Sequence, residues 1–96
     1  MRRDDVIRLL AGARHSLEPF HVKSLFLFGS VARDEATAQS DVDILVDFEE
    51  TPSLFEFARL RRALSEILGC PVDLVTRPAL KEELRDRILR EAVRAA

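Results

Sequence analysis

Two aspartates separated by one residue follow a glycine-serine pair in this chain, and their spacing could support metal-dependent chemistry. Gly29 and Ser30 end an apolar run, where the Ser30 hydroxyl and nearby backbone N–H groups could face a phosphate at a helix start. Asp41 and Asp43 lie about 6.5 Å apart along a strand and on one face, so both carboxylates can approach the same metal cluster. Divalent cations, usually Mg²⁺, would neutralise these acids and bound phosphates.

Two further side chains are candidates for the same site. Asp73 lies in the apolar run 72–75, where an unpaired carboxylate costs several kcal/mol, so a metal or ligand is favoured over an idle acid. A salt bridge to an arginine is the alternative. Arg33 follows the Gly-Ser pair closely and could contact phosphate, or it could pair with Asp34 or Glu35, since exposed arginines usually form modest ion pairs.

Length and composition restrict the class of protein. Ninety-six residues, 47% of them hydrophobic, correspond to a single domain spanning 1–96. The net charge of -2 provides no general field for nucleic acid or an anionic membrane, so we expect neither as a partner. No apolar run approaches the ~20 residues of a membrane span, and no secretory signal opens the chain. We expect a soluble, cytoplasmic protein in which the single cysteine forms no internal disulfide.

Hydrophobic periodicity predicts alternating helices and strands, which is typical of an α/β domain with helices covering a sheet. The predicted elements are a helix over about 4–17, a strand over 22–28, a short helical segment and loop over 31–39, a strand over 41–48, a helix from the capping box of Ser53 and Glu56 to Gly69, a strand over 71–76, and a last helix from Pro78 to about residue 92. The pattern does not reveal which strands run parallel.

The strand over 41–48 shows how the acids are presented. A period of two separates its side chains into two faces, with Val42, Ile44, Val46 and Phe48 on one and Asp41, Asp43, Leu45 and Asp47 on the other. One face therefore packs and the other carries carboxylates. Asp47 lies at the far end of the strand, and we expect it to be solvated and to bind no metal.

This arrangement resembles the nucleotidyltransferase superfamily that includes DNA polymerase beta, and within it the minimal nucleotidyltransferases known as MNT domains. Their signature is Gly-Ser, ten residues, then Asp-x-Asp, and residues 31–40 supply that spacing here. Arg33 matches an arginine often found after the serine, and Asp73 matches the third carboxylate on a later strand. Asp34 departs from the pattern, because many relatives have glycine there.

The resemblance implies a fold with a three-stranded or slightly larger mixed sheet covered by helices. It implies that Gly29 and Ser30 bind nucleotide phosphates, that Asp41 and Asp43 hold two Mg²⁺ ions, and that Asp73 completes the second metal site and helps to activate the acceptor hydroxyl. Catalysis of this kind consists mainly of in-line positioning and neutralisation of developing charge.

MNT domains of this size resemble the antitoxin halves of HEPN/MNT toxin-antitoxin pairs. The resemblance implies transfer of AMP from ATP to a hydroxyl of a partner protein, a HEPN-family ribonuclease toxin. A small chain has little surface for an acceptor pocket of its own, which favours acceptor recognition by a second chain. The alternatives are an antitoxin that neutralises its toxin by contact alone, and a small-molecule nucleotidyltransferase similar to the aminoglycoside-modifying enzymes.

Overall fold

The computed structural model describes residues 1–37 and 40–96 of the chain. In these ranges the helices and strands follow one another in the order α1 (Arg3–Gly12), α2 (Arg14–Leu17), β1 (Val22–Phe28), α3 (Gly29–Ala32), β2 (Val42–Phe48), α4 (Leu54–Leu68), β3 (Val72–Val75), α5 (Glu82–Glu91) and β4 (Val93–Arg94), with 3-10 turns at Glu18–Phe20 and Arg77–Ala79. None of the described helices is both long and apolar enough to cross a membrane.

The four strands form one mixed sheet in the order β3-β2-β1-β4. Strand β1 pairs antiparallel with both β2 and β4, whereas β2 and β3 run parallel. The parallel pair is possible because α4 carries the chain back along the sheet between the two strands. The mixed sheet and its covering helices confirm the expected α/β architecture, with β4 as the strand beyond three.

The two faces of the sheet carry separate cores. The larger core packs one face of β1, β2 and β3 against α1 and α4, and its fully buried members include Leu10, Leu25, Ile44 and Leu64. On the opposite face, Leu45 is buried with Phe28 and Leu80, next to Ile88 of α5. The predicted alternation along β2 is therefore confirmed, and its acidic positions lie on the face shared with α5.

Several element boundaries differ from those predicted. The first helix breaks after Gly12, a poor helix former, and continues as the short α2. Strand β2 begins at Val42, so Asp41 precedes it. The last helix begins at Glu82 because Leu80 is extended and inserts into the smaller core. The predicted segment over 31–39 contains the single turn α3, and its end, Ala38 and Gln39, lies outside the described residues.

Asp47 is not the solvated acid that the sequence predicts. Arg77 donates two hydrogen bonds to its carboxylate, from Nε at 2.9 Å and from Nη2 at 3.1 Å. The Ser24 hydroxyl donates a third at 3.1 Å, and the Arg77 guanidinium also lies over the Phe26 ring. Arg77 is 30 residues away in sequence, so the charge pattern around Asp47 gave no indication of this pair. The Asp47–Arg77 ion pair lies at the end of the sheet that is distant from Gly29.

Replacing Asp47 by Asn should lower the free energy of unfolding by about 1 kcal/mol, because the pair is bidentate but partly exposed. Hydrogen bonds from Arg77 hold the pKa of Asp47 below its ordinary value. Its contribution is therefore complete above the ordinary carboxyl pKa and is lost as the pH falls through the lowered one. Urea denaturation should show a gap between wild type and variant at pH 7 that narrows below about pH 4. The exposed Glu49→Gln should show no gap at either pH.

Candidate active site

The sheet register places the predicted site residues on three neighbouring strands. Phe28, the last residue of β1, is paired with Asp43 of β2, and Asp43 is in turn paired with Asp73 of β3. Adjacent strands lie about 4.8 Å apart, so the turn at Gly29 and the two carboxylates occupy one end of the sheet. Residues separated by 44 positions in sequence are thereby brought side by side.

Gly29 is required at this position for two physical reasons. Its φ is +70°, a left-handed conformation that side chains rarely adopt. In addition, a Cβ placed on Gly29 would overlap the Asp43 carboxylate, with Oδ2 far inside contact distance and Cγ at 3.1 Å. The backbone at Gly29 thus passes against the Asp43 side chain, and any larger residue would push the turn and the acid apart.

The chain continues through α3, which contains Ser30, into a loop that is bonded back to this helix. The Glu35 N–H donates to the Ser30 carbonyl at 2.8 Å, and the Asp34 N–H donates to the Val31 carbonyl at 3.0 Å. Asp34 itself has a φ of +60°, a left-handed conformation that glycine adopts more readily than aspartate. Its carboxylate accepts a hydrogen bond from the Arg3 backbone N–H at 3.0 Å. The departure from glycine is thus compensated by a bond to α1.

Arg33 forms ion pairs in this structure. Its Nε donates to Glu35 Oε2 at 3.0 Å and its Nη1 donates to Glu91 Oε2 at 3.1 Å. Of the pairings considered from the sequence, Glu35 is correct and Asp34 is not, since Asp34 bonds to Arg3. Glu91 was missed because it lies 58 residues away on α5, and a charged residue in a charged helix carries no local signal of such a contact.

Asp43 occupies the centre of the acidic group and is half-buried. Burial is the main cause that raises its pKa to about 6, followed by the charges of Asp73 and Asp41 and by a hydrogen bond shared with Asp73, while the Arg33 charge acts in the opposite direction. None of the ion pairs among the described residues involves these three acids. The end of the sheet therefore carries concentrated negative charge without a bonded cation from the chain.

The surroundings of the other two acids differ from the sequence-based expectation. Asp41 is exposed and precedes β2 instead of lying on it, although its charge still acts on Asp43. Asp73 lies on an edge strand and is also exposed, so the argument from a buried, unpaired carboxylate was wrong. The alternative of a salt bridge to an arginine is not realised among the described residues. In 1–37 and 40–96, no three His, Cys, Asp or Glu side chains form a ready-made metal cluster.

A family model for the nucleotidyltransferase domain matches residues 7–95, which contain the turn, the Asp-x-Asp pair and Asp73. The chain belongs to the nucleotidyltransferase family. The chain is therefore an enzyme of that class. Two similar proteins, described next, indicate that the domain has the minimal form of this family.

Among curated relatives, the protein adenylyltransferase MntA of Thermococcus cleftensis is 47% identical over 85 residues, covering 88% of this chain and 86% of the relative. A solved structure assigned as a minimal nucleotidyltransferase superposes with a TM-score of 0.81 at 38% identity, covering 97% of this chain and 95% of the other. A chain from a complex of a tri-AMPylated Shewanella oneidensis HEPN toxin with an MNT antitoxin has a TM-score of 0.61 at 22% identity, covering 98% and 68%. That last similarity concerns the fold alone.

Gly29→Ala should destabilise the nucleotidyltransferase by about 2 to 4 kcal/mol, because it combines left-handed strain with overlap against Asp43. Gly69→Ala is a matched control: Gly69 has the same φ of +70° but no atom within 4 Å of its Cβ position, so it should report the backbone strain alone. Adding Asp43→Ala should reduce the cost of Gly29→Ala to that of Gly69→Ala. Equal melting temperatures for the two single glycine variants would contradict the close approach.

Proposed function

We propose that this nucleotidyltransferase transfers AMP from ATP to a hydroxyl of a second protein, with Mg²⁺ as its metal. The observation that carries the proposal is the acidic end of the sheet, where a half-buried Asp43 lies against the turn at Gly29 and is flanked by two further carboxylates. The similarity to a protein adenylyltransferase supports AMP as the transferred group and a protein as the acceptor. We further propose a cytoplasmic location.

The residues present fit a hard divalent cation. Carboxylate oxygens are the ligands that Mg²⁺ prefers, and Asp43 is a half-buried acid whose pKa is raised by burial and by the charges of Asp73 and Asp41. Mg²⁺ is usually bound by one or two carboxylates together with substrate phosphates and not by a complete protein cage. A site with Asp43 and Asp73 adjacent and Asp41 nearby, but no closed cluster, agrees with that mode of binding. We assign Asp41, Asp43 and Asp73 as the residues that would hold two ions.

The chemistry supplied by bound Mg²⁺ is neutralisation of the triphosphate and of charge that develops during transfer. The chain itself supplies position. In the reaction, the acceptor oxygen forms a bond to the α-phosphorus while the bond from that phosphorus to the bridging oxygen breaks, and pyrophosphate leaves. We assign phosphate binding to Gly29 and Ser30. The Nη2 group of Arg33, which is not engaged by Glu35 or Glu91, is a further proposed contact. The hydroxyl proton passes to a carboxylate oxygen of Asp73, which is exposed and so open to an incoming acceptor.

The acceptor is proposed to lie on a partner chain, and a HEPN-family toxin is the partner that the related toxin-antitoxin structure suggests. Two features of this chain support transfer to a second protein. The site lies at an open end of the sheet with Asp73 on an edge strand, so a hydroxyl on another chain can reach it. The chain also contains no tyrosine, so a tyrosine acceptor must belong to another molecule.

Incubation with ATP, Mg²⁺ and a HEPN-family partner, followed by mass spectrometry, should show AMP on the partner and none on this chain. Asp43→Asn should abolish the transfer while the protein remains folded, because the metal and phosphates lose a central ligand. Glu49→Gln serves as the charge-matched control and should transfer at the wild-type rate. Label confined to a serine or threonine of this chain would reject transfer in trans. Neutralisation of the toxin by Asp43→Asn, without transfer, would instead favour an antitoxin that acts by contact alone.

Asp73→Asn should lower kcat by about 10² to 10⁴, the usual range for loss of a general base, with little change in affinity for a non-hydrolysable ATP analogue. Single-turnover transfer and calorimetric titration on the same preparation separate the two quantities. Its melting temperature should stay near the wild-type value, because the Asp73 side chain is exposed and has no ion pair in the described structure. Near-normal transfer by this variant would remove Asp73 from the catalytic set.

A further inference from the structure

The guanidinium of Arg33 is held by two glutamates on different elements. Glu35 in the following loop accepts a hydrogen bond from Nε, and Glu91 at the end of α5 accepts one from Nη1. The remaining nitrogen, Nη2, donates no hydrogen bond to any residue in 1–37 and 40–96. Two of the three nitrogens are therefore engaged, which fixes the plane of the guanidinium and leaves both N–H groups of Nη2 for a ligand.

Glu91 is itself fixed on its other side. Arg87, one turn earlier on α5, donates from Nε to Glu91 Oε1 at 3.3 Å, while Glu91 Oε2 accepts from Arg33. The Glu91 side chain is 28% exposed, and α5 is anchored to the smaller core through Ile88 and Leu89. Glu91 is thus a restrained acceptor on a packed helix, whereas Glu35 moves with the same loop as Arg33.

Arg33 also has an alternative partner within electrostatic range. Its positive charge acts on Asp43, the central carboxylate of the acidic group, yet the two form no ion pair in the described structure. An unrestrained arginine near Asp43 would be attracted to its carboxylate. Pairing with Asp43 would place the guanidinium where the metal and the phosphates are proposed to bind. In the structure the Arg33 guanidinium is bound instead to Glu35 and Glu91.

We propose that Glu91 is a positioning residue, which holds Arg33 so that Nη2 can donate to a phosphate oxygen of the nucleotide instead of pairing with Asp43. This inference rests on the proposed function, because it assumes that the nucleotide phosphates bind beside the turn at Gly29 and the Asp43 carboxylate. It links the C-terminal helix to nucleotide affinity through one ion pair that spans 58 residues. Glu91 contacts neither substrate nor metal in this scheme, and its effect passes entirely through Arg33.

The test is a double-mutant cycle of Glu91→Gln and Arg33→Gln, read by titration with a fluorescent ATP analogue and Mg²⁺ and by transfer kinetics. Glu91→Gln should raise the Kd and KM for nucleotide about three- to tenfold, the scale of a partly exposed charge pair, with kcat within about twofold. In the Arg33→Gln background the same change should have no further effect. Glu83→Gln, an exposed acid on the same helix, is the matched control and should bind like wild type.

Four outcomes would overturn the inference. One is an unchanged Kd for folded Glu91→Gln. The second is an equal loss in the Arg33→Gln background, which would mean that Glu91 acts through the fold of α5. The third is a fall in kcat without a change in KM. The last is a wild-type protein that binds no nucleotide, which would also reject the proposed function. A wild type that binds the analogue but transfers no AMP would reject the proposed function alone, and the binding cycle would still decide the role of Glu91.

Discussion

The contact between the Gly29 backbone and the Asp43 carboxylate is the constraint on which the rest of this site depends. A half-buried acid without a bonded cation is unfavourable, and here it is placed against a turn that only glycine can form. The cost is tolerable because both flanking strands are firmly paired and buried. Leu27 and Ile44, which are fully buried register partners, lie directly beside the turn and the acid. Hydrophobic burial along β1 and β2 therefore maintains an electrostatically strained end of the sheet.

The two ends of strand β2 use the same residue type for opposite purposes. Asp47 is neutralised by Arg77 and Ser24 and has a lowered pKa, whereas Asp43 is flanked by other acids and has a raised one. Both lie on the face covered by α5, and one buried leucine, Leu45, lies between them. Position on the strand therefore does not distinguish a carboxylate in an ion pair from one without a bonded cation. The difference depends on residues distant in sequence: Arg77 supplies a cation to Asp47, whereas no described arginine or lysine forms an ion pair with Asp43.

The difference between local pattern and distant partners explains what the sequence could and could not predict. The alternation along β2 and the spacing from Gly29 to Asp43 are local, so the sheet face and the central acid followed from them. The surroundings of Asp47, Asp73 and Arg33 depend on partners or exposure set by tertiary structure, and the predictions there were wrong or incomplete. Strand β4 was not predicted for a similar reason. It has only two residues, too few for a periodic pattern, and it forms by pairing with the free edge of β1. Next to it, the Ala95 N–H donates to the Leu25 carbonyl at 2.8 Å.

Both terminal parts of the described chain brace the loop that follows Gly29. From α1, the Arg3 backbone N–H bonds to Asp34, and the Arg3 side chain donates to the Ala32 carbonyl at 3.4 Å. From α5, Glu91 bonds to Arg33. A short segment that begins at the left-handed Gly29 and includes the left-handed Asp34 has little core of its own, so its conformation must be set by such external contacts. In a domain of this size, the helices that bury the sheet therefore also shape the loop after Gly29. The packing of α1 and α5 and the conformation of the loop therefore depend on each other, because loosening either helix would remove contacts that hold the loop beside Asp43.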